Sequence, residues 1–568
     1  MDDASAADER GLLTAGEPAP GVAGPKPLRV LLIRPPGTFS SLVYPDGPWV
    51  GVPLALLYLA SAARRLPGVE VQLLDALAYP DLARLERQPP PVLFGLDFDE
   101  ILRRAEEFQP DVIGLSVAAE TFFLDALELA RRLRERFPAA LLIAGGTDVS
   151  MQPERYLARA PAFDLLVLGE GEIAFTTLLQ RLQQGEEPRT APGVAWLRDD
   201  GTLQRNAPEF LEDLDSIPPL WEGLDFEQYF RLNRLGFPSR QSIDLPGTDR
   251  AVTLITSRGC PYRCSFCSIQ LTMGHAFRRH SSAFVVAQLA LLARDHGVRH
   301  VHFEDDNLSL DRERLRAILE GMVCADLDLT WDTPNGVRAD RFDRELVALC
   351  RRTGCVYLMF GIESGSQEVL DTLANKELLL TDVEQTLALC RELELDNNGL
   401  FIFGLPGESK ETVDQTLRYA FSLFDRFGTV PFFSIYKPYP GTELYARCER
   451  NGWLIDARPY ERMGKIPYML FMPTMVETPE LEIWYIVDKY QQYMLRFATK
   501  VVLRATRLMG RRPLLMARLT LELIGRLLAA PARFMPTLRA FFWRTLLFPR
   551  AQLRLNRRRP PARPPGRS

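Results

Sequence analysis

The chain has 568 residues, 46% hydrophobic and 25% charged, a composition that excludes a disordered or fibrous protein and leaves room for two or three domains. With 68 Lys and Arg against 73 Asp and Glu the net charge is -5, too close to balance for a chain that works as a polybasic nucleic-acid binder or a polyacidic tail. The charge is unevenly placed: residues 500–568 hold 16 Arg, one Lys and one acid, Glu522, so this stretch carries +16 and the remainder -21.

Residues 1–27 begin acidic (MDDASAADER) and continue rich in Pro, Gly and Ala. They are expected to be a disordered leader, without the basic start and apolar run of a signal peptide. The uncharged run GPWVGVPLALLYLASAA spans 47–63 and contains two Pro and two Gly, which makes it too short and too broken to cross a bilayer. From Leu28 onward the apolar runs LRVLLIRPPG, VEVQLLDA, DVIGLSV, ALLIAGG and DLLVLGEGE each end in small or turn residues and alternate with helical patterns such as LDALELARRLRERF. This rhythm predicts an α/β fold with a doubly wound parallel sheet over residues 28–185. Such sheets bind ligands at the carboxyl ends of their strands, where Ser116, Gly145, Gly146 and Gly169-Glu170-Gly171-Glu172 fall.

Residues 186–250 are richer in Pro, Asp and Glu and are expected to form an irregular connector. A second rhythm follows, with six candidate strands: AVTLITS, HVHFED, LTWDTPN, VYLMFGIE, NGLFIFG and FFSIYKP. The intervening helical patterns lie near 282–296, 312–323, 342–352, 366–374, 381–394 and 411–427, the first opened by Ser282 as a cap. Six such units over 251–445 predict a partial parallel (β/α)6 barrel with its chemistry at the strand carboxyl ends. Residues 446–568 turn helical. There VVLRATRLMG and RPLLMARLTLELIGRLLAA set Arg among Leu and Met, consistent with basic amphipathic helices that form either a solvated cap on the acidic body or a face for anionic lipid, and the end RRRPPARPPGRS is expected to be disordered. No recognisable nucleic-acid module is present.

The strongest chemical signal is SRGCPYRCSFCSI, in which Cys260, Cys264 and Cys267 follow the first barrel strand with C-x3-C-x2-C spacing. Bunched thiols in a large chain of eight cysteines point to a metal site in a reducing, cytoplasmic compartment. Three thiolates hold three irons of a 4Fe-4S cube and leave the fourth open. The competing reading is a zinc site completed by His275 or His280. Cys324, Cys350, Cys355, Cys390 and Cys448 form no C-x2-C pair and read as core residues, against a second cluster with three or four Cys ligands.

The cysteine motif, with Phe266 before its third Cys, resembles the radical S-adenosylmethionine (SAM) superfamily. The segments RPPG, PLALLYLA, IGLSV, AGG, GEGE and LDSIPPLW resemble its branch with an N-terminal, Rossmann-like cobalamin-binding domain, so that the likeness covers residues 28–445. It implies a 4Fe-4S cluster on the three cysteines, SAM on the open iron, and cobalamin in the first domain. HFEDDN resembles the branch's F-x-D-D pattern and implies Asp305 and Asp306 near the methionine ammonium; an acidic turn or a helix cap is the alternative. Arg338 in NGVRAD is a candidate for the methionine carboxylate or the substrate, or else a surface salt bridge. Glu363 and Ser364 in FGIESGSQEVL are implied at the ribose and methionine of the cofactor, unless Ser364 or Ser366 caps the next helix. FGLPGES and KPYPGTELY match the family as loop-shaping segments.

In the first domain, Ser116, Gly145 and Gly146 would let a corrin tail approach the backbone. The D-x-H-x-x-G loop of cobalamin domains with a protein lower ligand is absent. All five histidines (His275, His280, His296, His300 and His302) lie in the barrel, and Thr147 stands where many members place a His after the glycine pair. The alternative is a retained scaffold or docking surface. The likeness implies a cobalamin-dependent methyltransferase of an unactivated carbon, in which one SAM supplies the methyl group through cobalamin and a second the 5'-deoxyadenosyl radical. Radical cyclisation, coupling or rearrangement is the runner-up, and a non-catalytic binding protein is a third reading. The expected partners are a small-molecule or lipid substrate, an external one-electron donor, and, for the basic stretch, an anionic membrane surface that would hold the enzyme peripherally.

Overall fold

Side chains along LRVLLIR divide between two cores: Val30 and Leu32 join one apolar cluster, Leu31 and Ile33 another. A strand buried on both faces is apolar at every position, which is why the first-domain strands read as continuous runs. In the computed structural model, residues 26–39, 48–88, 91–159, 162–237, 239, 249–456 and, apart from 491, 494, 498 and 499, 474–500 are described. Residues 1–25 of the leader and everything beyond residue 500, with the amphipathic helices expected there, lie outside them.

The strands β1 (Leu28–Arg34), β2 (Val69–Asp75), β3 (Val112–Ser116), β4 (Leu141–Gly145) and β5 (Leu165–Val167) form a parallel sheet ordered β2-β1-β3-β4-β5. The sheet continues into antiparallel β6 (Val194–Leu197) and β7 (Leu203–Arg205). Residues 186–250 are therefore more structured than the expected connector. They supply those two strands and the helix Phe226–Arg234, whose Phe226, Tyr229 and Phe230 are buried in the main core. The Pro and acid content there marks the turns and caps, while the aromatics at helical spacing carry the packing.

The second sheet is wholly parallel and follows chain order: β8 (Ala251–Leu254), β9 (His300–Phe303), β10 (Thr330–Asp332), β11 (Cys355–Glu363), β12 (Asp396–Phe403) and β13 (Val430–Ile435). Helices Ser282–Arg294, Arg312–Cys324, Arg344–Arg352, Gln367–Thr372, Leu380–Glu392 and Lys410–Phe427 lie between the strands, which is the predicted partial barrel. The first of them is capped by Ser281, one residue before the expected Ser282, with its hydroxyl accepting from Phe284 N at 3.1 Å. Edge strand β13 is covered by the later helix, where the Tyr493 hydroxyl donates to Pro431 O at 2.6 Å.

Two features join the sheets. The apolar cluster that holds Val30 and Leu32 also holds Val252, Phe303 and Trp331, so one core runs from domain to barrel. Beside it, Glu170 and Glu172 of the GEGE turn meet barrel Arg258 and Arg278, all four buried. Arg258 contacts Glu172 at 2.8 Å and Glu170 at 3.2 Å, and Arg278 grips Glu170 with both terminal nitrogens at 2.5 and 2.7 Å. Burial alone would raise the Glu172 carboxyl, but the charge and hydrogen bond of Arg258, a backbone hydrogen bond and the Arg278 charge together outweigh it and hold the group below its ordinary value.

Glu408 in FGLPGES shows the opposite balance. Its Oε2 accepts from Gly404 N at 2.8 Å and Leu405 N at 2.9 Å, yet full burial pushes its carboxyl up to about 7. Between pH 4.5 and 7 the unfolded chain ionises this group while the folded chain keeps the proton, so its contribution to stability falls across that window and is constant above it. Glu408→Gln is expected to remove this dependence. In urea unfolding, the stability difference should shift in the variant's favour from pH 4.5 to 7; a difference that stays flat would show that Glu408 does not titrate this way.

Candidate active site and cofactor cavities

The cysteine loop leaves β8 through Ser257-Arg258 and turns at Gly259, where φ is +78° and an added Cβ would lie 2.4 Å from Ala276 O. A glycine is required there. Cys260, Cys264 and Cys267 then line one wall of a cavity of about 500 Å³ at the carboxyl end of the barrel. Asn307 Nδ2 sits 3.9 Å from Cys260 Sγ. Burial pushes the Cys264 thiol up and that of Cys267 up to about 12, so binding of a metal must drive their deprotonation. The donor set and the room beside it fit a cluster with an open iron. His280 does not join it: its ring stacks on Phe284 and faces Asp215 at 2.9 Å, and burial lowers it to about 4.

The same cavity is lined by Asp306, Arg338, Glu363 and Lys376. The acidic pair divides its work. Asp306 accepts from Gly259 N at 2.9 Å and lines the cavity, and burial pushes its carboxyl up to about 6. Asp305 corrects the expectation. Its two oxygens accept from Thr256 N, Thr256 Oγ1 and Ser257 Oγ at 2.5–2.8 Å, which fixes the approach to the cysteine loop and leaves it off the cavity wall. Glu363 ends β11 after a register shift, with φ at +69°, a conformation uncommon for a non-glycine residue. The bulge aims its carboxylate into the cavity. There it meets Lys376 Nζ at 2.7 Å. Burial alone would lower the Lys376 ammonium; the Glu363 charge and hydrogen bond, with the neighbouring Cys264, together outweigh this and hold it above its ordinary value.

Ser364 is a second correction. Fully buried, its hydroxyl bonds Thr416 Oγ1 at 3.0 Å and accepts from Ser366 N at 3.1 Å, outside the cavity wall, while Ser366 caps the next helix. Arg338 is no surface salt bridge. It lies over the Tyr262 ring at 3.8 Å, and four of its five donors go to Asp340 and to the carbonyls of Lys376 and Glu377. Its main effect is to hold in place the loop that presents Lys376. The sequence offered no motif for Lys376, which reaches Glu363 from thirteen residues away across a helix and a turn.

Ser116, Gly145 and Gly146 come together, as expected, around a second cavity of about 150 Å³. Its floor is apolar, with Leu32, Leu54, Ile143 and Val167, and its far side is closed by Glu170, Glu172, Arg258, Thr272 and Met273. A space of this size takes a benzene-sized ring, and the glycine backbone brings amide groups to its rim, which fits the tail of a corrin cofactor. Gly146 has φ at +113° and a Cβ there would sit 2.5 Å from Val117 O.

Residues 254–420 match the model of the radical SAM superfamily and residues 49–179 that of the B12 binding domain. An uncharacterized methyltransferase of Pyrococcus horikoshii is 28% identical over 76% of this chain and 85% of its own length. Cytidylyl-2-hydroxyethylphosphonate methyltransferase of Streptomyces wedmorensis is 29% identical over 80% and 88%. Among solved structures, the cobalamin-dependent SAM radical enzyme OxsB, with aqua-cobalamin and SAM bound, aligns over 94% of this chain and 80% of its own at a TM-score of 0.61 and 17% identity. The radical SAM methyltransferase TsrM from Kitasatospora setae aligns over 75% and 78% at 0.58 and 20% identity. At such identities the structural likeness establishes the fold.

Gly146→Val is expected to reduce cobalamin retained after desalting at least about tenfold, a loss of roughly 1.4 kcal/mol in affinity, with iron per chain unchanged. Undiminished cobalamin would place the corrin tail elsewhere.

Proposed function

This chain belongs to the radical SAM superfamily, in the branch that carries a B12-binding domain ahead of the radical SAM domain, and on that footing we propose that it methylates an unactivated carbon of a small-molecule substrate. The observation that carries the reading is that one loop serves both cavities: Arg258 lines the cavity at the glycine pair, and Cys260, two residues on, lines the other. Bound there, the cluster and SAM supply a 5'-deoxyadenosyl radical and cobalamin supplies a methyl group.

The chain's own groups account for binding and orientation. The Asp306 carboxylate, destabilised by burial, gains most from a cationic neighbour such as the methionine ammonium. Glu363 has two oxygens for ribose hydroxyls, and the Lys376 ammonium beside it suits a carboxylate. Leu400, Ile402 and Ile435 make the cavity's apolar side, which keeps water from a reactive radical. The methyltransferase names of relatives in Pyrococcus and Streptomyces support methylation. A second reading, ring closure, is favoured by the 28% identity to anaerobic magnesium-protoporphyrin IX monomethyl ester cyclase of Cereibacter sphaeroides, which covers 64% of this chain and 57% of that protein.

The test is anaerobic reconstitution with iron, sulfide and hydroxocobalamin, followed by turnover with SAM, a one-electron reductant and candidate methyl acceptors. S-adenosylhomocysteine and 5'-deoxyadenosine are both expected with a methylated product, and Cys264→Ser should abolish the nucleoside. Product formed with 5'-deoxyadenosine and no S-adenosylhomocysteine would favour ring closure.

For the basic stretch 500–568 the reading is an anionic membrane surface, supported by its charge of +16. Among the described residues no helix is long and apolar enough to cross a membrane. The full chain is expected to float with phosphatidylserine vesicles at low salt and to be released at high salt; failure to float where a control lipid binder does would refute this partner.

A further inference from the structure

One level of the barrel floor is polar across five adjacent strands: Thr253, His302, Asp332, Tyr357 and Asp396 are successive register partners. His300 lies two residues before His302 on the same face of β9 and pairs with Thr330. His300, His302 and Asp332 are all but completely buried, and none of them lines the cavity that holds the cysteines. One ligand atom from each lies within 4.8 Å of the others. His302 Nδ1 is 2.8 Å from Asp332 Oδ1, and His300 Nε2 is 3.2 Å from Asp332 Oδ2.

The hydrogen bonds around His300 give this geometry its meaning. The Thr330 hydroxyl has one proton to share between Arg299 O, at 3.1 Å, and His300 Nδ1, and in one of the two arrangements it donates to Arg299 O. Its oxygen then accepts from His300 Nδ1, at 2.8 Å. A neutral ring that donates through Nδ1 presents a lone pair at Nε2, and that lone pair faces a carboxylate oxygen. In that arrangement the two acceptors lie 3.2 Å apart, a separation that two ligand atoms of one metal ion can span.

We propose that His300, His302 and Asp332 hold a divalent transition-metal ion of the zinc class, at a site separate from the cysteine triad. Two imidazoles and a carboxylate form a nitrogen and oxygen donor set suited to zinc. With His300 Nδ1 donating to Thr330, Nε2 is left free to bind, the usual task of a hydrogen bond behind a ligating histidine. The ion clamps β9 to β10 beneath the strand ends that carry Asp306. With no opening to the cofactor cavity, it is taken up as the barrel folds.

The experiment uses the full chain produced with zinc in the medium and dialysed against EDTA, with zinc and iron counted by mass spectrometry and the zinc environment read by K-edge X-ray absorption. About one zinc per chain is expected, with imidazole scattering, nitrogen or oxygen at about 2.0–2.1 Å and no sulfur shell. Asp332→Asn should lose the zinc and keep the iron of the cysteine site. Wild-type protein that retains no zinc would overturn the site and leave a proton between His300 and Asp332. Zinc with a sulfur shell at about 2.3 Å would overturn it too, since the ion would then sit on the cysteines. Because the wild-type spectrum decides, the test does not depend on the variant folding, and it is independent of which reaction the enzyme performs.

Discussion

Two carboxylates from the first domain and two guanidinium groups from the barrel meet in a buried contact that lies between the two cavities. Neither pair of charges is tolerable alone in such a place: removing one partner from a buried ion pair costs about 3–5 kcal/mol, because the survivor remains desolvated. Arg258 and Arg278 also lie over the rings of Tyr58 and Phe210, so the guanidinium planes are fixed by packing as well as by charge. The turn that carries Glu170 and Glu172 is thereby set against the turn that leads to Cys260. Relative placement of the two cavities rests on this contact together with the apolar core that runs between the two sheets.

The active-site wall shows how local strain is used. Glu363 occupies a left-handed conformation and follows a register shift, both unfavourable for an ordinary residue. What holds it is the surrounding network: Lys376 bonds its carboxylate, Arg338 ties down the Lys376 loop, and Tyr262 of the cysteine loop lies under Arg338. The cysteine loop and the cavity-lining carboxylate therefore belong to one connected set of contacts. A disturbance at either is felt by the other through named side chains.

Much of this was legible in the sequence because it rests on short-range patterns. Three cysteines at fixed spacing, and apolar runs ending in glycine or serine, declare themselves without knowledge of the partners they meet. Ser116, Gly145 and Gly146 were placed correctly for the same reason, since strand ends in a parallel sheet form a common edge. Choices that depend on side-chain direction were not legible. Asp305 and Asp306 are adjacent and chemically identical, yet opposite faces of the chain send one to the Thr256-Ser257 backbone and hydroxyls and the other to the cavity. Ser364 follows Glu363 directly, and the same alternation turns it away toward Thr416. Lys376 has no motif because its role comes from tertiary proximity. Residues 186–250 misled through composition: Pro and acids dominate by number, whereas a few buried aromatics decide the structure.

The ion contact between the two halves bears on how such a protein can be rearranged. Its participants, Glu170 and Arg258, are 88 positions apart in the chain and on opposite sides of the boundary at which one would cut to exchange modules. A hybrid that took its first half from one parent and its barrel from another would inherit a working interior only if the acid and base partners matched at all four positions. Recombination between distant relatives is thus filtered at this seam, and the two halves are constrained to diverge together even though each has its own sheet.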